Sequence, residues 1–329
     1  MAGVTSDFAA RLVFLMHQAT ANSQHVPGVV LQVVDRHGNS AYSGAAGLKG
    51  LGSTKPMTTD TVFWIASCTK LVSAVALMIL VEQGKADLDS ADLLEEMVPE
   101  LKTVQILEDG RLRPKRNRIT LRMLMTHVGI DWPLGMTSTS FMPSTDMRSR
   151  MAMFHRRADN LTAEPHFYRP AREEGQDYFQ SAGAGLLSTV TDYSRVLAML
   201  LGDGVSPHTQ KRVLASETVD EMFRNQIPDY MGKYVTGGPH VTSRPDLCIR
   251  DDPTAEPTEA LETYGWGLTM LLQTSPGAAS FTKGSATGLC NCFWTVDREK
   301  GVAAVCFSQI LPFGDPYVYP LWQAVEAVI

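Results

Sequence analysis

The run "LVSAVALMILVEQGK", from Leu71 to Lys85, carries apolar side chains on nearly every face of a helical wheel. A helix of that kind cannot lie on a surface, so other elements must cover it on all sides. Gly84 ends it, since glycine readily takes the left-handed conformation that closes a helix. The helix starts at about Ser67. Whatever this chain folds into, a buried helix stands near its centre, supplied early in the chain. The 329 residues, 44% hydrophobic and 19% charged, suffice to bury it within one large core or two domains.

The flanking segments suggest how it is covered. "DFAARLVFLMHQAT" has a helical period with Asp7 in its first turn, and "PGVVLQVVDRHGNSAYSGAAG" reads as two strands around a turn at "RHGN". "SADLLEEMVPEL" and "ITLRMLMTH" read as short helices, and "VTDYSRVLAMLLGDG" as an amphipathic helix ending in glycine. Pro228 to Glu259 reads as loop. "NCFWTV" and "GVAAVCFSQIL" read as strands, and "PLWQAVEAVI" as a closing helix. Strands at both ends with helices between them predict one sheet built from both termini and a helical insertion. The boundaries are 1–90 with 236–329 for the α/β part and 91–235 for the insertion.

Charge and cysteine use narrow the function classes. The net charge is −6, and the basic cluster "RLRPKRNR", Arg111 to Arg118, has no aromatic neighbours. It reads as a solvated loop, which argues against a nucleic-acid partner. The first residues do not form a signal peptide, and no apolar stretch reaches membrane length. With an odd count of five cysteines, the expectation is a cytoplasmic protein with reduced thiols and no membrane partner. Cys290 and Cys292 lack further ligands at zinc-site spacing and read as small buried residues on a strand.

Ser67 and Lys70, in "WIASCTKL", stand one helical turn apart at the start of the buried helix. A serine hydroxyl needs a base before it can act as a nucleophile. Burial lowers a lysine pKa, so a neutral Lys70 amine could be that base. The alternative is a Ser67 N-cap and a Lys70 that snorkels to water. The residues alone leave both open. A second Ser-x-x-Lys, "SFTK" at Ser280 to Lys283, runs into "GSATG", which cannot begin a buried helix.

The blocks "VFWIASCTKLVSAVALMILVEQGKADLD", "ITLRMLMTHVG", "PLGMTSTSF", "SAGAGLLSTVTDYSRVLAMLLGDG" and "GLCNCFWTVDREKGVAAVCFSQILPFGDP" resemble, in order, those of the serine β-lactamase and penicillin-binding-protein superfamily. They are most similar to its fungal branch, which holds the lovastatin acyltransferase, and to family VIII carboxylesterases. The resemblance implies an α/β (α+β) fold with an antiparallel sheet, flanking helices and an inserted helical domain. It implies a nucleophile motif at Ser67 and Lys70. It also implies an oxyanion hole from the backbone N–H groups of Ser67 and Leu289, the latter after the glycine of "ATG", Gly288. The Lys or Trp that opens that motif in relatives is absent here.

The expected activity is that of a serine acyltransferase or esterase working through an acyl-Ser67 intermediate. Its partners would be a small-molecule acyl donor and acceptor in fungal secondary metabolism, with an acyl carrier domain as one source of donor. No cofactor or metal is implied. Relatives also carry a proton-shuttling tyrosine between the "THxxG" and "PLGM" blocks. Here "THVGIDWPLGM" joins them directly, so the insertion is shortened near 129–133. Tyr42, Tyr178 and Tyr193 are the remaining tyrosines considered, each with packing as its simpler role. His127 has no aspartate placed to orient it. The rival expectation is a catalytically impaired or non-catalytic protein of the same fold.

Overall fold

The computed structural model describes residues 6–108, 111–115, 118, 120–121, 134–167, 181–227, 264–274 and 281–329. Apart from Thr120 and Leu121, the helix expected at "ITLRMLMTH" lies outside them, as does the loop expected over Pro228–Glu259.

A seven-stranded antiparallel sheet forms the centre, in the order β2-β1-β13-β12-β11-β10-β9. Its N-terminal strands are β1 (Gly28–Asp35) and β2 (Ser40–Gly47), joined by the turn at Gly38. The others are β9 (Tyr264–Trp266), β10 (Leu271–Gln273), β11 (Lys283–Gly288), β12 (Cys292–Asp297) and β13 (Val302–Phe307). The pairing of β1 with β13, Leu31 opposite Cys306, ties the two ends of the chain together.

β1 is buried along its whole length, so alternate residues feed two cores. Val29, Leu31 and Val33 face one side with Phe293, Ala304 and Cys306. That side is covered by α1 (Ser6–Thr20) and the C-terminal helix α7 (Val318–Glu326). Val30 and Val34 face the other with Trp294, Val296 and Val305, beneath α5 (Val190–Leu201). α5 thus rides on the sheet, although it stands in the stretch 91–235 assigned from sequence to the insertion.

The apolar helix α2 (Thr69–Glu82) is buried from Leu71 to Met78 within this second core. Gly84 follows it at φ +66°, as its sequence role requires. α3 (Ala91–Met97) is capped by the Ser90 side chain, which accepts from Leu93 N–H. The basic run at Arg111 is a correction to the sequence reading. Arg111–Pro114 is a strand, β5, paired with β4 (Gln105–Glu108), and Lys115 and Arg118 reach back to Glu95 at 3.4 and 2.7 Å. Lys115 and Arg118 are therefore paired with a carboxylate, while Arg111 stays exposed.

The remaining described elements are α4 (Thr145–Arg150), α6 (Ser216–Phe223), and the short strands β3 (Phe63–Trp64), β6 (His155–Arg157), β7 (Ala163–Pro165), β8 (Leu187–Ser188) and β14 (Ile310–Leu311). β3 pairs with β8, and β14 pairs with β6.

Candidate active site

Ser67 lies in a single 3₁₀ turn, Ala66–Cys68, between β3 and α2. The residue before it, Ala66, is fully buried with φ +44°. A non-glycine residue there costs roughly 1–3 kcal/mol and persists only where its surroundings enforce it. The surroundings do so. Ile65 N–H donates to Leu186 O at 3.0 Å, and Trp64 Nε1 donates to Ala184 O at 2.5 Å. On the far side, Tyr193 Oη donates to Cys68 O at 2.9 Å. Ser67 itself is half-buried and caps no helix, since the N-cap position of α2 is Cys68.

Lys70 does not snorkel. Its Nζ donates to Ser67 Oγ at 2.9 Å and to Gly183 O at 2.9 Å. Burial pulls its pKa below the usual lysine value. No carboxylate among the described residues pairs with it. A neutral amine keeps two N–H groups and a lone pair. One N–H can stay on Gly183 O while the lone pair takes the Ser67 proton. Gly183 belongs to "SAGAG", a run of small residues whose carbonyls line the start of α2. Ala182 O accepts from Ser73 Oγ at 2.7 Å in the same run.

The end of β11 reaches the same place. A Cβ on Gly288 would sit 2.5 Å from Ile65 O and 3.2 Å from Cys68 Sγ, so only glycine lets the strand approach the turn. Gly288 pairs with Cys292, closing a loop that carries Leu289, with Asn291 at φ +57°. Ser67, Lys70, Gly288 and Leu289, chosen from sequence, therefore sit on segments packed against one another. The Cys290 and Cys292 thiols lie behind the turn. Cys290 Sγ donates to Trp64 O at 2.9 Å, and burial pushes the Cys68 and Cys292 thiols well above their ordinary pKa.

Other sequence candidates fall elsewhere. Tyr193 is wholly buried against Trp294 and Phe307, and Tyr42 Oη rests on Met16 Sδ at 3.3 Å. Lys283 of "SFTK" opens β11 and pairs with Glu326 at 3.0 Å. His127, Tyr178 and the junction at 129–133 lie outside the described residues. The acceptor role of Gly183 escaped the sequence reading. Its one signal was the cluster of small residues in "SAGAG", which lets a backbone approach closely.

Comparison with known proteins agrees with this fold. The family model described as Beta-lactamase matches residues 9–129. The monacolin J acid methylbutanoyltransferase of Aspergillus terreus is 24% identical, covering 98% of this chain and 96% of its own length. That alignment runs over 423 positions against 329 residues here, so the relative carries stretches this chain lacks. A lovastatin esterase of Penicillium rubens is 33% identical over 118 residues, covering 33% of this chain and 29% of its own length. Among solved structures, a mutant of simvastatin synthase from Aspergillus terreus superposes with TM-score 0.78 at 21% identity, over 98% of this chain and 94% of the other. A penicillin-binding-protein homologue from Pyrococcus abyssi gives TM-score 0.63 at 15% identity, over 97% and 77%. The fold is that of the β-lactamase and transpeptidase group, and the resemblance read from the motifs stands.

Proposed function

We propose that this β-lactamase-fold chain is a serine acyltransferase, with ester hydrolysis as its reaction when water replaces the acceptor. The observation that carries the reading is the Lys70 Nζ on Ser67 Oγ at 2.9 Å, in a half-buried turn with no described carboxylate to hold the lysine charged. Ser67 Oγ attacks the acyl carbon and its proton passes to Lys70. The oxyanion forms against the backbone N–H groups of Ser67 and Leu289. The intermediate collapses, the leaving group departs as its anion, the proton on Lys70 passes to that anion or to solvent afterwards, and an acyl-serine remains. An alcohol then attacks that ester and gives its proton to Lys70, which passes it to Ser67 Oγ as the acyl–oxygen bond breaks and the new ester leaves.

The names of a monacolin J acid methylbutanoyltransferase and of an acyltransferase of Penicillium decumbens support a small-molecule acyl group and acceptor, and we place the reaction in fungal secondary metabolism. A thioester donor, including one on an acyl carrier domain, suits this site best. A thiol of pKa about 8.5 leaves as its anion far more readily than an alkoxide, whose conjugate acid is nearer 16. The non-catalytic alternative rests on the missing tyrosine segment and the altered "ATG" motif, and gives no account of the Ser67–Lys70 contact. No helix among the described residues is long and apolar enough to cross a membrane, and we place the reaction in the cytoplasm.

The test is product partition. p-Nitrophenyl butyrate is supplied with and without a secondary alcohol, and the butyryl ester and butyrate are quantified. Ester formation that rises with alcohol concentration supports transfer. Butyrate as sole product at every alcohol concentration restricts the chain to hydrolysis.

A further inference from the structure

The oxyanion hole proposed above needs two backbone N–H groups from chain segments more than two hundred residues apart, those of Ser67 and Leu289. Donors must stand about 2.7–3.1 Å from the developing oxyanion, and misplacement by about 1 Å can cost about 10²-fold in rate. Something must fix one segment relative to the other. The structure has such a part, and it lies in neither segment.

We infer that the stretch Ser308–Asp315, which follows β13, sets the oxyanion hole, with Gln309 and Asn291 as its positioning residues. The inference rests on the acyl-serine reading of the same site.

The first segment runs from Trp64 to Ser67. On one edge Trp64 pairs with Leu187 of β8. On its other edge, the place of a neighbouring strand is taken by a side chain. Gln309 Oε1 accepts from Trp64 N–H at 2.8 Å, and Gln309 Nε2 donates to Trp64 O at 3.1 Å. A primary carboxamide offers the same donor and acceptor as a peptide unit, so it replaces a strand with one residue. Gln309 is buried, and Nε2 also donates to Ser308 O at 3.3 Å, which fixes which way the amide faces. Two residues separate Trp64 from Ser67, Ile65 and the strained Ala66. A slip at Trp64 is therefore passed to the Ser67 N–H.

The second segment is the Leu289–Asn291 loop. Asn291 is buried, and its side chain makes four contacts with the same stretch. Nδ2 donates to Ile310 O at 2.9 Å and Pro312 O at 2.8 Å. Oδ1 accepts from the N–H groups of Gly314 at 3.0 Å and Asp315 at 3.1 Å. Ser308 Oγ donates to Cys290 O at 3.0 Å. Both segments are thus referenced to one piece of chain, in addition to the direct bond from Cys290 Sγ to Trp64 O at 2.9 Å.

Gln309→Glu keeps the shape and the acceptor but removes the donor to Trp64 O until the carboxyl is protonated. Gln309→Met removes both. Three measurements decide: the rate of fluorophosphonate labelling at Ser67, kcat and KM for p-nitrophenyl butyrate from pH 5 to 9, and the melting temperature. For Gln309→Met, kcat should fall about 10–100-fold with KM near the wild-type value. For Gln309→Glu, the rate relative to wild type at the same pH should climb as pH is lowered, because acid restores the donor. A merely structural role does not give that ratio a pH dependence in a variant that stays folded throughout. If Gln309→Met does not fold, the Gln309→Glu ratio decides alone. A reactive wild type with a flat Gln309→Glu ratio near one overturns the clamp and leaves the proposed function standing. A wild type that fluorophosphonate does not label overturns the proposed function and the clamp together.

Discussion

Lys70 decides by its charge whether Ser67 can react, and its burial favours the neutral form. Acylation should therefore rise with pH through a lysine pKa below 10.5 and then level off. Lys70→Ala should lose at least about 10²–10⁴-fold, the usual worth of a general base. Lys70→Arg should not recover the loss, because guanidinium stays charged. Stopped-flow acylation against pH checks both, and near-normal rates for Lys70→Arg contradict the base role. His155 sets a separate, structural pH response. It is buried, its Nε2 accepts from Leu51 N–H at 3.1 Å, and burial brings its pKa down to about 4. Between pH 6.5 and 4 the unfolded chain binds a proton that the folded chain refuses. Stability is then full above about pH 6.5 and falls by roughly 3 kcal/mol toward pH 4. Urea unfolding should show this slope, and His155→Gln should flatten it. At this scale the sequence was readable where function rests on a short spacing. Ser67 and Lys70 share a helical face. Gly183 acts on Lys70 from 113 residues away through a backbone carbonyl, Gln309 acts on Trp64 from 245 through one carboxamide, and no periodicity announces such contacts.

Two junctions between elements carry testable loads. Gly288 lets β11 approach the nucleophile turn, and an added Cβ would meet Ile65 O at 2.5 Å. Gly288→Ala should cost about 1–3 kcal/mol and slow acylation together, as strand and turn separate. An alanine variant with wild-type melting temperature and turnover would show that the contact is slack. The second junction is the buried pair Arg157–Asp315 at 2.8 Å, which joins β6 to the start of α7. Asp315 Oδ1 also accepts from the N–H groups of Tyr317 and Val318 at 3.0 and 3.1 Å. Asp315→Ala leaves a buried guanidinium uncompensated and should cost about 3–5 kcal/mol, measured by urea unfolding. Most of these elements were legible. The all-apolar run gave α2, the turn at "RHGN" gave β1 and β2, and the period in "VTDYSRVLAMLL" gave α5. The strand at Arg111–Pro114 was not, because the alternation in its four residues is too short to stand out in a basic run, and pairing with β4 makes them a strand.

For the whole molecule, the sheet joins both ends of the chain, while the relatives' alignments run through positions this chain does not fill. The family pattern leads us to expect a tyrosine segment between the "THxxG" and "PLGM" blocks, which this chain joins directly as "THVGIDWPLGM". Without it, leaving groups that need protonation should suffer most. The ratio of kcat/KM for a p-nitrophenyl ester to that for an alkyl ester of the same acid should be high. It should fall about 10²–10⁴-fold when a relative's segment is grafted between Gly129 and Pro133. A folded graft that leaves the ratio unchanged would move attention to Tyr178. All of this presumes that acyl groups pass through Ser67, and one measurement addresses that directly. The protein is mixed with p-nitrophenyl butyrate, quenched in acid within the first turnover and analysed by peptide mass spectrometry. The expected result is a butyryl group on the peptide at Ser67, absent from a folded Ser67→Ala variant that has also lost turnover. Turnover with no adduct at Ser67, or undiminished turnover by Ser67→Ala, would contradict the account.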